Sequence, residues 1–267
     1  MSSAGSVFQF DAAIVRLPSK SVAKGLRAAD GGDPAYQGVL SEHEAYVAAL
    51  SAAGVDVTAL PALLDYPDAL FVEDPALVFP EGAILLRPGA ASRAGEVAEI
   101  APVLRDHFET VLDLSGEGFV DGGDILTTPE KVMIGLSSRT DLAGAKALQR
   151  LLAEFGRTGE VVETPADVLH FKTDCSLLDE ETVLATKRLA TSGVFDGFDV
   201  VLMPDGEEAA ANALRVNDAL MVGADFPQTI DLLGARGFNV IPLKTTEIGK
   251  IDAGLSCMSL RWRRPSG

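Results

Sequence analysis

Short apolar runs recur along this chain, each joined to a second across a tight polar break. ALVFPEGAILLRPG (76–89) reads as strand, turn, strand. ASRAGEVAEIAPVLRDHF follows with apolar residues at helical spacing, and ETVLDLS reads as a third strand. The order returns in DILTTPEKVMIG (124–135), the helix SSRTDLAGAKALQRLLAEFG and the strand EVVETP. It returns in CSLLDEETVLAT (175–186), a short helical stretch and FDVVLMP, and again in ALRVNDALMVG (213–223), FPQTIDLLGARG and FNVIPL. Glu-Gly, Pro-Glu, Asp-Glu and Asn-Asp pairs supply the hairpin turns. Helices close on Gly in EFGR and ARGF.

A fifth unit is split between the chain ends. AAIVRLP, the helix SEHEAYVAALSAAG and the strand VDVTALP supply most of it, and LSCMSLRW at the end supplies the missing strand. Ends that meet in one module close a ring and remove exposed sheet edges. Repeats starting at 76, 124, 175 and 213 have the spacing of arrays and propellers. A doubly wound sheet is the rival architecture, and the hairpins argue for antiparallel pairs over βαβ crossovers. The expected fold is therefore α/β: five ββαβ modules around a pseudo-fivefold axis, one domain over residues 1–267, with a basic tail from about 263.

Composition narrows the function. The formal net charge is −17, which repels nucleic acid phosphates and anionic lipid and favours a cationic ligand. A solvated acidic surface explains the same number. Two cysteines are too few for a disulfide scaffold and suit a reducing cytoplasm. MSSAGSVFQFDAAIV lacks the pattern of a signal peptide, and no window is apolar enough to span a membrane. The expectation is a cytoplasmic protein with no nucleic acid or membrane partner.

Of three histidines, His43 and His107 lie on helices among charged neighbours. His170, in VLHFKTDCSLL, lies where a loop runs into a strand, the kind of place where catalytic groups concentrate. Cys257 follows the small residues Gly254 and Ser256, whereas Cys175 in CSLL reads as core; a buried cysteine is most often a small hydrophobe. Asp68, Glu73 and Asp74 in YPDALFVEDPALVF, and Asp121 and Asp124 in GFVDGGDILTT, interrupt apolar runs just before hairpins. Buried anions need a paired charge, and a planar guanidinium is one that suits carboxylates. Turn and capping aspartates are the plainer reading. No HxH, HExxH, CxxC, EF-hand or phosphate-loop pattern is present, so no metal or cofactor is expected.

PDALFVEDPALVF, LRPGAASRAGE, VDGGDIL, GLSSRT, HFKTDCSLL, RVND and KIDAGLSCMSL together, in this order, resemble the pentein superfamily of guanidine-modifying enzymes, and most of all the dimethylarginine dimethylaminohydrolases. The resemblance runs from about residue 14 to 262 and implies the five-module propeller. It implies Cys257 as nucleophile, His170 as general acid and base, and Asp121 as the acidic residue supporting the pair. It assigns Leu26 to a lid and Asp68, Glu73 and Asp74 to substrate binding. Arg87 and Arg139 fall at the substrate carboxylate, and Ile251 and Asp252 at the α-amino end. The implied reaction hydrolyses Nω-methylated arginine to citrulline and an alkylamine, without cofactor or metal, in a monomer or homodimer. Arginine deiminase and amidinotransferase chemistry are the alternatives within the superfamily, and a non-catalytic binding protein is the alternative outside it.

Overall fold

The computed structural model describes residues 7–27, 31–166 and 168–265. Its strands form five three-stranded sheets of identical pattern. β3 (Ala76–Phe79) pairs antiparallel with β4 (Gly82–Leu85); helix α2 (Glu96–His107) then carries the chain to β5 (Val111–Asp113), parallel to β4. β6 (Ile125–Thr127), β7 (Val132–Leu136), α3 (Leu142–Glu154) and β8 (Gly159–Glu163) repeat this. So do β9 (Cys175–Leu177), β10 (Thr182–Ala185), α4 (Lys187–Ala190) and β11 (Asp199–Leu202). β12 (Leu214–Val216), β13 (Ala219–Gly223), α5 (Pro227–Ala235) and β14 (Asn239–Leu243) form the next. In the split module β1 (Ala12–Arg16) leads through α1 (Tyr36–Ala52) to parallel β2 (Asp56–Leu60). The last strand, β15 (Leu260–Trp262), supplies the antiparallel partner of β1. Hairpin and crossover thus coexist in every module, so the contrast drawn between them from sequence does not apply.

Ring closure follows from the alternation of side chains along each central strand. Successive residues point to opposite faces. Ala83 and Leu85 of β4 pack with Ala12 and Ile14 of β1, whereas Ile84 packs with Val132 and Ile134 of β7. Met133 of β7 joins Val183 and Ala185 of β10, and Leu184 joins Leu220 and Val222 of β13. Met221 meets Ala13 and Val15, which returns the contacts to β1. Each apolar cluster is therefore shared by two neighbouring modules. The central strands are buried on both faces, which is why they read as nearly unbroken apolar runs. Truncating one such residue, Leu184→Ala for instance, should cost about 2–5 kcal/mol.

Turn details differ slightly from expectation. Phe79 pairs with Gly82, so Pro80 and Glu81 make the first turn rather than Glu-Gly. Asn217 and Asp218 make the fourth, with Asn217 at φ +54. Gly156 and Gly237 take positive φ just beyond α3 and α5, as predicted. Of the expected basic tail, Arg263 and Arg264 are exposed, and residues 266–267 lie outside the described residues. Among the described residues no helix is long and apolar enough to cross a membrane.

Candidate active site

Each module delivers one polar side chain from the segment just ahead of its first strand: Asp74 before β3, Asp121 before β6, His170 before β9, Asn212 before β12 and Cys257 before β15. Single helical turns at Gly122–Asp124, Phe171–Thr173, Glu208–Ala211 and Ser256–Met258 set four of these segments. Hydrogen bonds link the segments to one another. The Glu73 N–H donates to the Cys257 carbonyl (3.2 Å) and the Gly122 N–H to the Asp74 carbonyl (3.2 Å). The Phe171 N–H donates to Asp124 Oδ1 (2.8 Å), and the hydroxyls of Ser137 and Thr140 donate to Asp124 Oδ2 (2.7 and 2.6 Å). Asp124 is thus a buried tether for the His170 segment.

Nine of the residues singled out from sequence meet around a cavity of about 130 Å³: Leu26, Asp68, Asp74, Asp121, Arg139, His170, Ile251, Asp252 and Cys257. Glu73 and Arg87 do not line it. Glu73 lies in the turn at residues 72–75 that leads into β3, and it points away from its neighbour Asp74. It lines a second cavity of about 740 Å³ on the other side, ion-paired to Lys172 (Nζ–Oε1 2.6 Å) and receiving the Ser256 hydroxyl (3.2 Å). Arg87 donates to the carbonyls of Leu114, Gly116 and Gly118 and so holds a neighbouring loop.

Sequence reasoning passed over Arg93, which does line the cavity. Its buried guanidinium donates to Asp74 Oδ2, to both Glu96 oxygens, and to the carbonyls of Phe71 (2.8 Å) and Asp68 (3.2 Å). Its signal was the SRAGE segment itself, with a carboxylate three residues on. Arg139 differs from Arg93: its guanidinium makes no hydrogen bond or ion pair to any described residue. Arg27 also reaches the cavity, paired with Asp33 (2.7 Å). Asp68 Oδ1 accepts the Leu26 N–H (2.9 Å), tying the start of the expected lid to the cavity wall; residues 28–30 of that lid lie outside the described residues. Asp252 adopts φ +55, a conformation that Asp tolerates better than most residues.

The electrostatics suit proton transfer. His170 Nε2 lies 3.1 Å from Asp121 Oδ2, whose other oxygen accepts the Gly89 N–H (2.7 Å). Burial alone would lower the His170 pKa, but Asp121, Asp74 and Asp124 outweigh it and raise it to about 9. Burial pushes the Cys257 thiol up to about 11, helped by Glu73 and Asp74 and opposed by the Gly254 N–H and Lys172. Asp74 is held below the usual carboxylate range: burial opposes this, and Arg93, His170 and the Gly123 N–H (2.9 Å) prevail. Burial raises Asp68 and Asp124. Asp74, Asp121 and His170 also bring ligand atoms within 4.8 Å of one another, a set that could hold a metal ion.

Residues 62–201 match the arginine deiminase family model. The chain is 36% identical over 250 residues to the N(G),N(G)-dimethylarginine dimethylaminohydrolase of Pseudomonas aeruginosa, an alignment covering 93% of this chain and 98% of that protein. It is 31% identical to the protein of the same name from Streptomyces coelicolor, over 94% of this chain and 96% of the other. A solved structure of the Pseudomonas aeruginosa protein, a cysteine-to-serine mutant complexed with citrulline, superposes with a TM-score of 0.92, covering 95% of this chain and 100% of that one. The fold, the shared sequence and the thiol–imidazole–carboxylate cavity agree: the chain belongs to the dimethylarginine dimethylaminohydrolase family of penteins.

Proposed function

We propose that this protein hydrolyses Nω-methylated L-arginine to L-citrulline and methylamine or dimethylamine. One observation carries the reading: a single small cavity holds a thiol, an imidazole that stays protonated at neutral pH, and the buried carboxylates of Asp68 and Asp74. The cationic head of the substrate lies against Asp74, which fixes its plane against Cys257. Arg139, unpaired among the described residues, receives the substrate carboxylate. Leu26, Ile251 and Asp252 border the rest of the amino-acid moiety.

The Cys257 thiolate adds to the guanidinium carbon. His170, oriented by Asp121, gives its proton to the departing amine, and the C–N bond breaks to leave an S-alkylthiouronium. Neutral His170 then takes a proton from water as the water oxygen adds to the same carbon. Collapse releases citrulline and Cys257. A citrulline-release assay with dimethylarginine, monomethylarginine, arginine and agmatine, with amine measured in parallel, tests this. Methylated arginine should be preferred and yield alkylamine and citrulline in equal amounts. Ammonia release from arginine as the main activity would replace the proposal with a deiminase.

A further inference from the structure

Four of the five side chains that the modules deliver from the segments ahead of their first strands are Asp74, Asp121, His170 and Cys257; the fifth is Asn212. Its surroundings fix which way its amide faces. Oδ1 accepts the Ser256 N–H at 3.0 Å. Turning the amide over would set its NH2 group against that N–H, donor to donor, so Nδ2 must occupy the other side. There it faces Cys257 Sγ at 4.0 Å. The residue at 254 leaves the space for this: a Cβ on Gly254 would come within 2.3 Å of Asn212 Cγ and 2.5 Å of Oδ1.

Ser256 Oγ also lies 4.0 Å from the sulfur, but its hydrogen is engaged elsewhere. It donates to Glu73 Oε2 at 3.2 Å, and an ionised carboxylate, here paired with Lys172, can only accept. The charged groups that face Cys257 from the packed segments are Glu73 and Asp74, which disfavour a thiolate, Lys172, which favours it, and His170 across the cavity. A neutral donor aimed at sulfur stabilises the anion without adding charge to a pocket that must accept a cation.

We propose that the Asn212 amide is a further catalytic group, whose Nδ2–H donates to the Cys257 sulfur and favours the attacking thiolate. This rests on the reading of Cys257 as nucleophile. Asn212→Asp keeps an oxygen for the Ser256 N–H but turns an anion toward the sulfur; Asn212→Ala removes the donor without adding charge. The measurement is the pH dependence of iodoacetamide alkylation at Cys257, located by peptide mass, alongside kcat and KM and a thermal melt. In folded Asn212→Asp the rise of alkylation with pH should move up by a unit or more. Alkylation near neutral pH should then be at least about tenfold slower, with kcat falling by a similar factor and KM changing little. Asn212→Ala should move both the same way by less. A wild-type alkylation profile in either folded variant overturns the proposal, and so does a profile moved down, which is what loss of packing around the buried sulfur alone would give. A Cys257→Ser protein that retains turnover overturns instead the reading on which the proposal rests.

Discussion

Replacing Asp74 by Asn should move two measurements of the same site in opposite directions. With the Cys257 thiol at about 11, about one molecule in ten thousand carries a thiolate at pH 7. Burial is the largest cause, and Asp74 is one of the two carboxylates that add to it. Removing that charge lowers the thiol pKa, and each unit of lowering raises the thiolate fraction at neutral pH about tenfold. Iodoacetamide should therefore alkylate Cys257 faster in Asp74→Asn than in the wild type. Turnover should fall, because the guanidinium loses a charge-assisted hydrogen bond worth about 1.5–3 kcal/mol. That is a loss in kcat/KM of about 10- to 150-fold.

The fold should survive the change. Arg93 keeps Glu96 and the carbonyls of Phe71 and Asp68. Cys175 supplies an internal control, since it is fully buried with its thiol raised well above the usual range by burial, and only unfolding would open it to reagent. Alkylation by peptide mass, with citrulline release from a methylated arginine, makes the test. Unchanged kinetics, or slower alkylation of Cys257 in a folded protein, would refute the reasoning that places the cation between Asp74 and the sulfur.

Other substitutions separate neighbouring roles. Arg139→Met should erase the preference for dimethylarginine over its decarboxylated analogue, whereas Arg87→Met should leave the ratio of specificity constants intact; the reverse result would restore Arg87 to the substrate carboxylate. Cys257→Ser should abolish citrulline formation and Cys175→Ser should retain most of it, so loss of activity in the second alone would misplace the nucleophile. His43 is fully buried, neither ring nitrogen has a hydrogen-bond partner among the described residues, and burial lowers its pKa to about 4. Its folded pKa lies below the ordinary 6.5, so its contribution is whole above about pH 6.5 and is lost as pH falls toward 4, by about 3 kcal/mol in all. The raised His170 acts in the other direction and in another window, losing its contribution as pH rises from about 6.5 through 9. Urea midpoints across the acid range should fall less in His43→Met than in the wild type; parallel curves would show that His43 is not the group responsible.

What the chain discloses depends on how local the cause is. The central strands were legible because residues such as Ala83, Ile84 and Leu85 must satisfy two cores at once, which leaves an apolar run with no polar face. The split module was legible because only its order of elements was incomplete. Side-chain direction was not legible to the same degree. Glu73 and Asp74 are adjacent and both acidic, and only the backbone path decides that one faces Lys172 and the other Arg93. Arg87 and Arg93 lie six residues apart in one stretch, and their roles depend on the turn between them, which brings Arg93 under Asp74 and leaves Arg87 on the 114–118 loop. Asn212 carried no acid, base or nucleophile to attract notice. Its signal was its place just ahead of β12, the kind of segment from which the other modules deliver Asp74, Asp121 and His170.

The high thiol pKa and the acidic cavity explain each other. Burial, with Glu73 behind the cavity and Asp74 on its wall, keeps the free Cys257 protonated, and so guards it against oxidants and alkylating agents that need a thiolate. In the proposed reaction Asp74 and Asp68 attract the cationic head, and a guanidinium lying between Asp74 and Sγ places positive charge beside the sulfur. On that reading the proton should leave when the substrate is present and not before. His170 stays charged through this change, because Asp121, Asp74 and Asp124 hold its pKa near 9, and it is ready to protonate the departing amine. Hydrolysis converts the cation to a neutral ureido group. The electrostatic reason for binding disappears with it, the thiol takes up its proton again, and the product leaves a cavity that no longer attracts it.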